Sequence, residues 1–309
     1  MAPMPEGEAM QAVTTTAGKT ARADPPGGPR IDPVYLLLTP ATLFMVLLFV
    51  YPFAYGLLLS FQPTHGGWLA NYQTFFTSER LWPTILTTLK IAGPATAINL
   101  AMAVPLAYRL RVKSRYQKWL TAILVVPITL GAVLIADGML TYLGPKGWLS
   151  QILQAVHLLD EPVHLTHNYA GVLISLVISG FPFVFLLVLS YITGIDPVLA
   201  RAAATLGANP WQQFRYVYLP LLSPGLAMAF CLAFVQAFSV YPSAVLLGAP
   251  AGPTRVISIA AYETAFEQYD APLAACAAMI MGVVQLAVVG AALGLRKLFY
   301  RGPVTGGKG

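Results

Sequence analysis

Six long apolar stretches constrain this chain more than any other feature. They run 34–61, 84–108, 119–143, 169–192, 225–247 and 272–295. Each reaches the roughly 20 residues that a helix needs to cross about 30 Å of hydrocarbon. Several carry internal prolines: Pro52, Pro94, Pro105, Pro127, Pro182 and Pro242. Such prolines would break isolated soluble helices, but neighbours in a membrane bundle satisfy the backbone groups they free. The predicted fold class is therefore an all-α membrane protein with six transmembrane helices. Composition agrees: 57% of residues are hydrophobic and 10% charged, against about 25% charged in a soluble domain. A chain with so few charges cannot solubilise the surface of a 309-residue globule.

The formal net charge of +6 would suggest nucleic acid in a soluble protein. Here the charges sit between the apolar blocks and read as topology determinants. Lys19, Arg22 and Arg30 precede the first block. Arg109, Arg111, Lys113, Arg115 and Lys118 follow the second, Arg201 and Arg215 the fourth, and Arg296, Lys297, Arg301 and Lys308 the sixth. The alternate connections hold only Arg80, Lys146 and Arg255, together with Glu79, Asp160, Glu161, Glu263, Glu267 and Asp270. The positive-inside bias predicts that both termini are cytoplasmic. Residues 1–30, rich in Thr, Ala, Gly and Pro, are expected to be a disordered tail, 31–298 the six-helix domain, and 299–309 a short C-terminal tail. The first apolar run starts too late and is too long for a cleavable signal peptide.

Few residues suggest chemistry. Ala17-Gly18-Lys19-Thr20 resembles the end of a phosphate-binding loop, but Val13 stands where the first glycine is needed, and no strand precedes it. Cys231 and Cys276 both fall in apolar blocks and read as free and inert. All four histidines, His65, His157, His164 and His167, lie outside the blocks. His164 and His167 have an i, i+3 spacing, but no ligand set completes a metal site. No nucleophile–base set lies at membrane depth, so no catalytic residue is expected.

The connection 194–220 is the most informative segment. Asp196-Pro197 is a good N-cap and first helical residue. Ala, Leu and Arg then favour helix, and Gly207 suits a left-handed stop. Asn209-Pro210 repeats the start signal, and Trp211 to Tyr218 are expected to form a second short helix. This segment resembles the EAA loop of binding-protein-dependent bacterial ABC importer permeases. Arg201, Ala202 and Ala203 occupy its first three positions, Gly207 follows at the family spacing, and Val217, Leu219 and Pro220 complete it. The departure is Arg201, where the family carries Glu, so a polar contact made by that carboxylate does not carry over.

The resemblance covers roughly residues 33–296. It implies the type I importer arrangement of six helices, with the loop as coupling element to an ATPase. It also implies the partners: a second permease, identical or paralogous, two ATPase subunits, an external binding protein and the lipid bilayer of the bacterial inner membrane. The chain itself would bind no cofactor, ATP being consumed by the ATPase subunits, and no nucleic acid. The outer segments 143–149 and 241–248 look like those of polyamine-type permeases, which implies an organic cation as solute; a sugar or other small solute is the alternative.

Asp137, in the third block, is a candidate pathway residue, because ionisable groups in the membrane are costly and functional by default; the alternative is that, near the outer interface, it reaches water or bonds a neighbouring helix. Gln236, Ser239 and Tyr241, just before Pro242, are candidates for cavity lining or for interhelical hydrogen bonding. Lys90 is placed to snorkel to the interface. Gly290 and Gly294 read as helix packing. A secondary transporter would show an internal repeat with matching broken helices; no such pairing is visible, and the EAA-like loop would be unexplained.

Overall fold

The computed structural model describes residues 33–63, 66–112, 115–145, 147–155 and 165–299. The chain divides into two units, Met1–Phe53 and Ala54–Gly309. The first unit holds α1 (Pro33–Met45), a π-helical segment Val46–Val50, and the start of α2 (Tyr51–Ser60). The π segment ends two residues before Pro52, where the proline cannot donate to the i−4 carbonyl and the helix widens locally. The predicted tail 1–30, the predicted tail 299–309 beyond Phe299, and His65, Lys113, Lys146, His157, Asp160, Glu161 and His164 lie outside the described residues.

Among its described residues the second unit has helices joined by turns and loops, and no strand. Its elements are α3 (Ala70–Thr77), α4 (Pro83–Arg109), α5 (Arg115–Leu130), α6 (Ala132–Leu143) and α7 (Trp148–Ala155). Then come α8 (Tyr169–Thr193), α9 (Pro197–Thr205), α10 (Pro210–Gln213), α11 (Leu219–Phe238), α12 (Pro242–Leu247), α13 (Ile257–Phe266) and α14 (Ala271–Phe299). Among the described residues five helices are long and apolar enough to cross a membrane, and up to six if the bent pair beginning with α5 and α6 counts as one span.

The core is built on α4, which packs most extensively on α8 and next on α11. The reason is legible along α4. Its buried residues are Thr84, Thr88, Ile91, Ala92, Ala95, Thr96, Asn99, Ala103 and Ala107; all but Ile91 and Asn99 are small, and they recur mostly at three- and four-residue steps. A stripe of small residues lets helix backbones approach closely, the main source of packing energy where lipid removes the hydrophobic drive. Larger partners fill in from the other helices: Phe185 and Val188 of α8, and Phe234 and Phe238 of α11. Cys231 and Cys276 are free and buried in this core.

Two of the internal prolines are accommodated by identifiable donors. Pro94 leaves the Lys90 carbonyl without its helical partner, and the Tyr169 hydroxyl donates to that carbonyl at 2.6 Å. Pro224 does the same to the Pro220 carbonyl, which accepts from the Ser223 hydroxyl at 2.8 Å. These are the compensations that make proline tolerable in membrane helices.

Two of the six predicted spans differ from the sequence reading. The third block is not one helix: α5 and α6 meet at 101°, turning at Gly131, whose φ is +78°. The fifth block is displaced towards the N-terminus. The second helix of the 194–220 connection does not stop at Tyr218; α10, a π segment Phe214–Tyr218 and α11 form one continuous span, Pro210–Phe238. Again the π segment lies two residues before a proline, Pro220. The span ends early because Pro242 pushes Tyr241 out of the helical region, to φ −128°.

Candidate coupling loop and membrane cavity

The connection between α8 and α11 is defined by its caps. The Asp196 carboxylate accepts from the Val198 amide at 2.8 Å and opens α9. At the other end the Gly207 amide donates to the Ala204 carbonyl at 2.9 Å and the Ala208 amide to the Ala203 carbonyl at 3.0 Å. This is a Schellman stop, and it needs the left-handed φ of +87° that Gly207 supplies. Asn209 and Gln212 then form a reciprocal capping box: Oδ1 accepts from the Gln212 amide at 2.9 Å, and Oε1 accepts from the Asn209 amide at 2.8 Å. Four consecutive local signals thus hold one hairpin of short helices.

The hairpin is anchored on one side and bare on the other. Ala200 and Tyr218 are buried against Ile192, Leu222 and α4. Tyr108, near the end of α4, donates from its hydroxyl to the Pro210 carbonyl at 3.0 Å. Its ring meets Phe214 at 4.8 Å and Tyr218 at 5.3 Å. The opposite face exposes Val198, Leu199, Leu206 and Trp211, with Leu206 89% exposed and Trp211 68% exposed. Large apolar side chains held out on a rigid hairpin form a surface suited to a protein partner. Of the residues singled out from sequence, Arg201, Ala202, Gly207 and Pro220 are exposed, while Ala203 and Leu219 are half-buried.

Further along the bundle, a cavity of about 390 Å³ opens between α4, α8, α11 and the α5–α6 bend. It gathers three of the sequence candidates, Gln236, Ser239 and Tyr241. Ser239 also accepts a hydrogen bond from Gln285 Nε2 of α14 at 2.8 Å, so one residue fills both roles considered for it. Asp137 is not among the lining residues. It is exposed on α6, about 100° round the helix from buried Ala136. Lys90 is also exposed, seven residues into α4. His167 takes a left-handed φ of +59° ahead of α8, and no metal-ligand cluster occurs among the described residues.

The structure adds residues that the sequence reading passed over. Asn99, Ser179, Gly180 and Ser243 also line the cavity. Asn99 is 4% exposed. Its amide donates to the Leu176 carbonyl at 3.4 Å, and its Oδ1 has no hydrogen-bond partner. The available signal was a lone amide at the centre of the second apolar block.

A polytopic helical membrane protein with a capped loop between its fourth and fifth spans is the class these features define. Residues 99–296 match the family described as binding-protein-dependent transport system inner membrane component, and the chain belongs to that family. It is 31% identical over 184 residues to the spermidine/putrescine transport system permease protein PotB of Haemophilus influenzae, an alignment covering 58% of this chain and 63% of that one. It is 25% identical over 267 residues to the trehalose transport system permease protein SugA of Mycobacterium tuberculosis, covering 81% and 84%. Among solved structures, a bacterial alginate ABC transporter in complex with an alginate pentasaccharide-bound periplasmic protein superposes with a TM-score of 0.75. That match has 25% identity over 88% of this chain and 96% of the other. The protein is an ABC importer permease subunit, a non-catalytic membrane component.

Proposed function

We propose that this chain forms half of the translocation pathway of an importer in the bacterial inner membrane. It pairs with a second permease, receives a small solute from an external binding protein, and is driven by two ATPase subunits that dock on the α9–α10 hairpin. Both termini then face the cytoplasm, in line with the lysine and arginine bias. The observation that carries this reading is the hairpin itself, with α9 capped at both ends and α10 at its start, presenting Leu206 and Trp211 to solvent. ATP is consumed on the partner: closure of the ATPase pair moves the hairpin, and the bundle turns its cavity outward. Arg201, Ala202, Ala203, Gly207, Leu219 and Pro220 form the coupling element. The test is solubilisation in mild detergent with the ATPase encoded alongside. The ATPase copurifies under this reading, and a chain recovered alone would defeat it.

For the solute, the cavity favours a neutral, hydroxyl-rich molecule. Its polar lining consists of amides, hydroxyls and a phenol, with no carboxylate among them. A polyamine-like cation is the second reading, supported by the outer segments and by the likeness to PotB; it relies on Asp137 to attract charge. Under the first reading Asp137→Asn leaves uptake unchanged. Under the second, uptake falls while assembly and basal ATP hydrolysis persist.

A further inference from the structure

A second cavity, of about 400 Å³, lies behind α9 and the end of α4. Its lining includes Arg111, Arg201 and Tyr218, with Thr193 and Gln213, whose side chains already donate to the Leu189 and Ala208 carbonyls. No Asp or Glu lines it. The nearby Asp196, not itself part of the lining, caps α9 through the Val198 amide. Arg111 is held in place: its guanidinium carbon lies 4.0 Å from the Tyr108 ring centre and 5.1 Å from that of Tyr218. It also donates to the Tyr108 carbonyl at 2.7 Å. Stacking on aromatic rings orients a guanidinium but leaves its charge in place. Two cations therefore share one cavity with no carboxylate in its wall.

We propose that this cavity receives a carboxylate side chain of the ATPase subunit, gripped between Arg201 and Arg111. The proposal rests on the docking role assigned to the hairpin above. It gives Arg201 a purpose: where the family loop carries Glu, this chain reverses the charge and recruits Arg111 beside it. The planar guanidinium fork matches a carboxylate in a bidentate manner. The surroundings favour a protein carboxylate. The cavity shares its hairpin with the exposed apolar residues Leu206 and Trp211, and apolar contact beside a charge pair is what a partner's cleft supplies. The same pairing selects the matched ATPase over ATPases that carry a basic residue at this point, because like charges across an interface repel.

The experiment measures ATPase affinity for the purified permease complex in neutral-lipid nanodiscs, comparing wild type with Arg201→Glu and Arg201→Gln. Arg201 is exposed, so both variants fold, and an unchanged melting temperature checks this. Arg201→Glu weakens ATPase binding by about tenfold or more at low salt, and the loss shrinks as salt rises. Arg201→Gln weakens it less. Replacing the facing Asp or Glu of the ATPase with Arg restores binding to Arg201→Glu. Wild-type affinity in Arg201→Glu overturns the proposal and leaves the importer reading standing. An effect that appears only when anionic lipid is added assigns the cavity to a lipid phosphate and also overturns it. Failure of the ATPase to bind even the wild-type chain sinks the importer reading itself, and this proposal with it.

Discussion

Gly207 is required by backbone conformation rather than by packing. A Cβ built there meets nothing within 4 Å, yet the backbone holds φ at +87°. A β-branched residue is strained in that region by roughly 1–2 kcal/mol. Gly207→Val therefore leaves membrane insertion and accumulation intact but redirects the chain between α9 and Asn209. Uptake and binding-protein-stimulated ATP hydrolysis are expected to fall together, measured in proteoliposomes, while Gly207→Asn, which tolerates the left-handed region, retains most of both. Full transport in the valine variant would remove this turn from the coupling path. The residue was legible in sequence because Asp-Pro, Gly and Asn-Pro are local signals, each satisfied by atoms within five residues of itself. Asn99 was not, since its meaning depends on Leu176 and Gly180 of another helix.

At the level of elements, the α4–α8 pair is the contact on which the rest is assembled. The two helices meet tightly at Gly180, where a Cβ would stand 2.7 Å from Asn99 Nδ2. Asn99 is buried and tied to the Leu176 carbonyl, so it cannot move aside without losing that bond. Gly180→Val is expected to destabilise the bundle by about 1–3 kcal/mol through overpacking, read as a lower melting temperature in detergent. Adding Asn99→Ala recovers part of the loss, because the two changes share one clash and do not add. Independent, additive losses would contradict this account. The same scale explains where the element boundaries strayed from expectation. Hydropathy marks where a chain is apolar, not where it bends, so the α5–α6 turn and the early end of α11 were hidden inside continuous apolar runs. Gly131 and Pro242 were visible, but glycine and proline also occur inside unbroken membrane helices, as Gly180 and Pro182 of α8 show.

For the whole molecule, the charge asymmetry makes the clearest demand. A reporter fused after Lys297 is expected to behave as cytoplasmic, and one placed in the Lys146–His167 connection as external. The opposite pattern would invert the proposed orientation and put the α9–α10 hairpin on the wrong side for an ATPase. The all-α membrane class and the capped α9–α10 segment were readable from the chain alone. They follow from apolar length, charge placement and capping residues, which act over a few neighbours and need no knowledge of the rest of the molecule. The two cavities were decided only by tertiary structure. Arg111 stands ninety residues before Arg201, and Asn99 more than a hundred before Gln236 and Tyr241. Only the close packing of α4 against α8 and α11, made possible by α4's small-residue stripe, brings those side chains to shared walls.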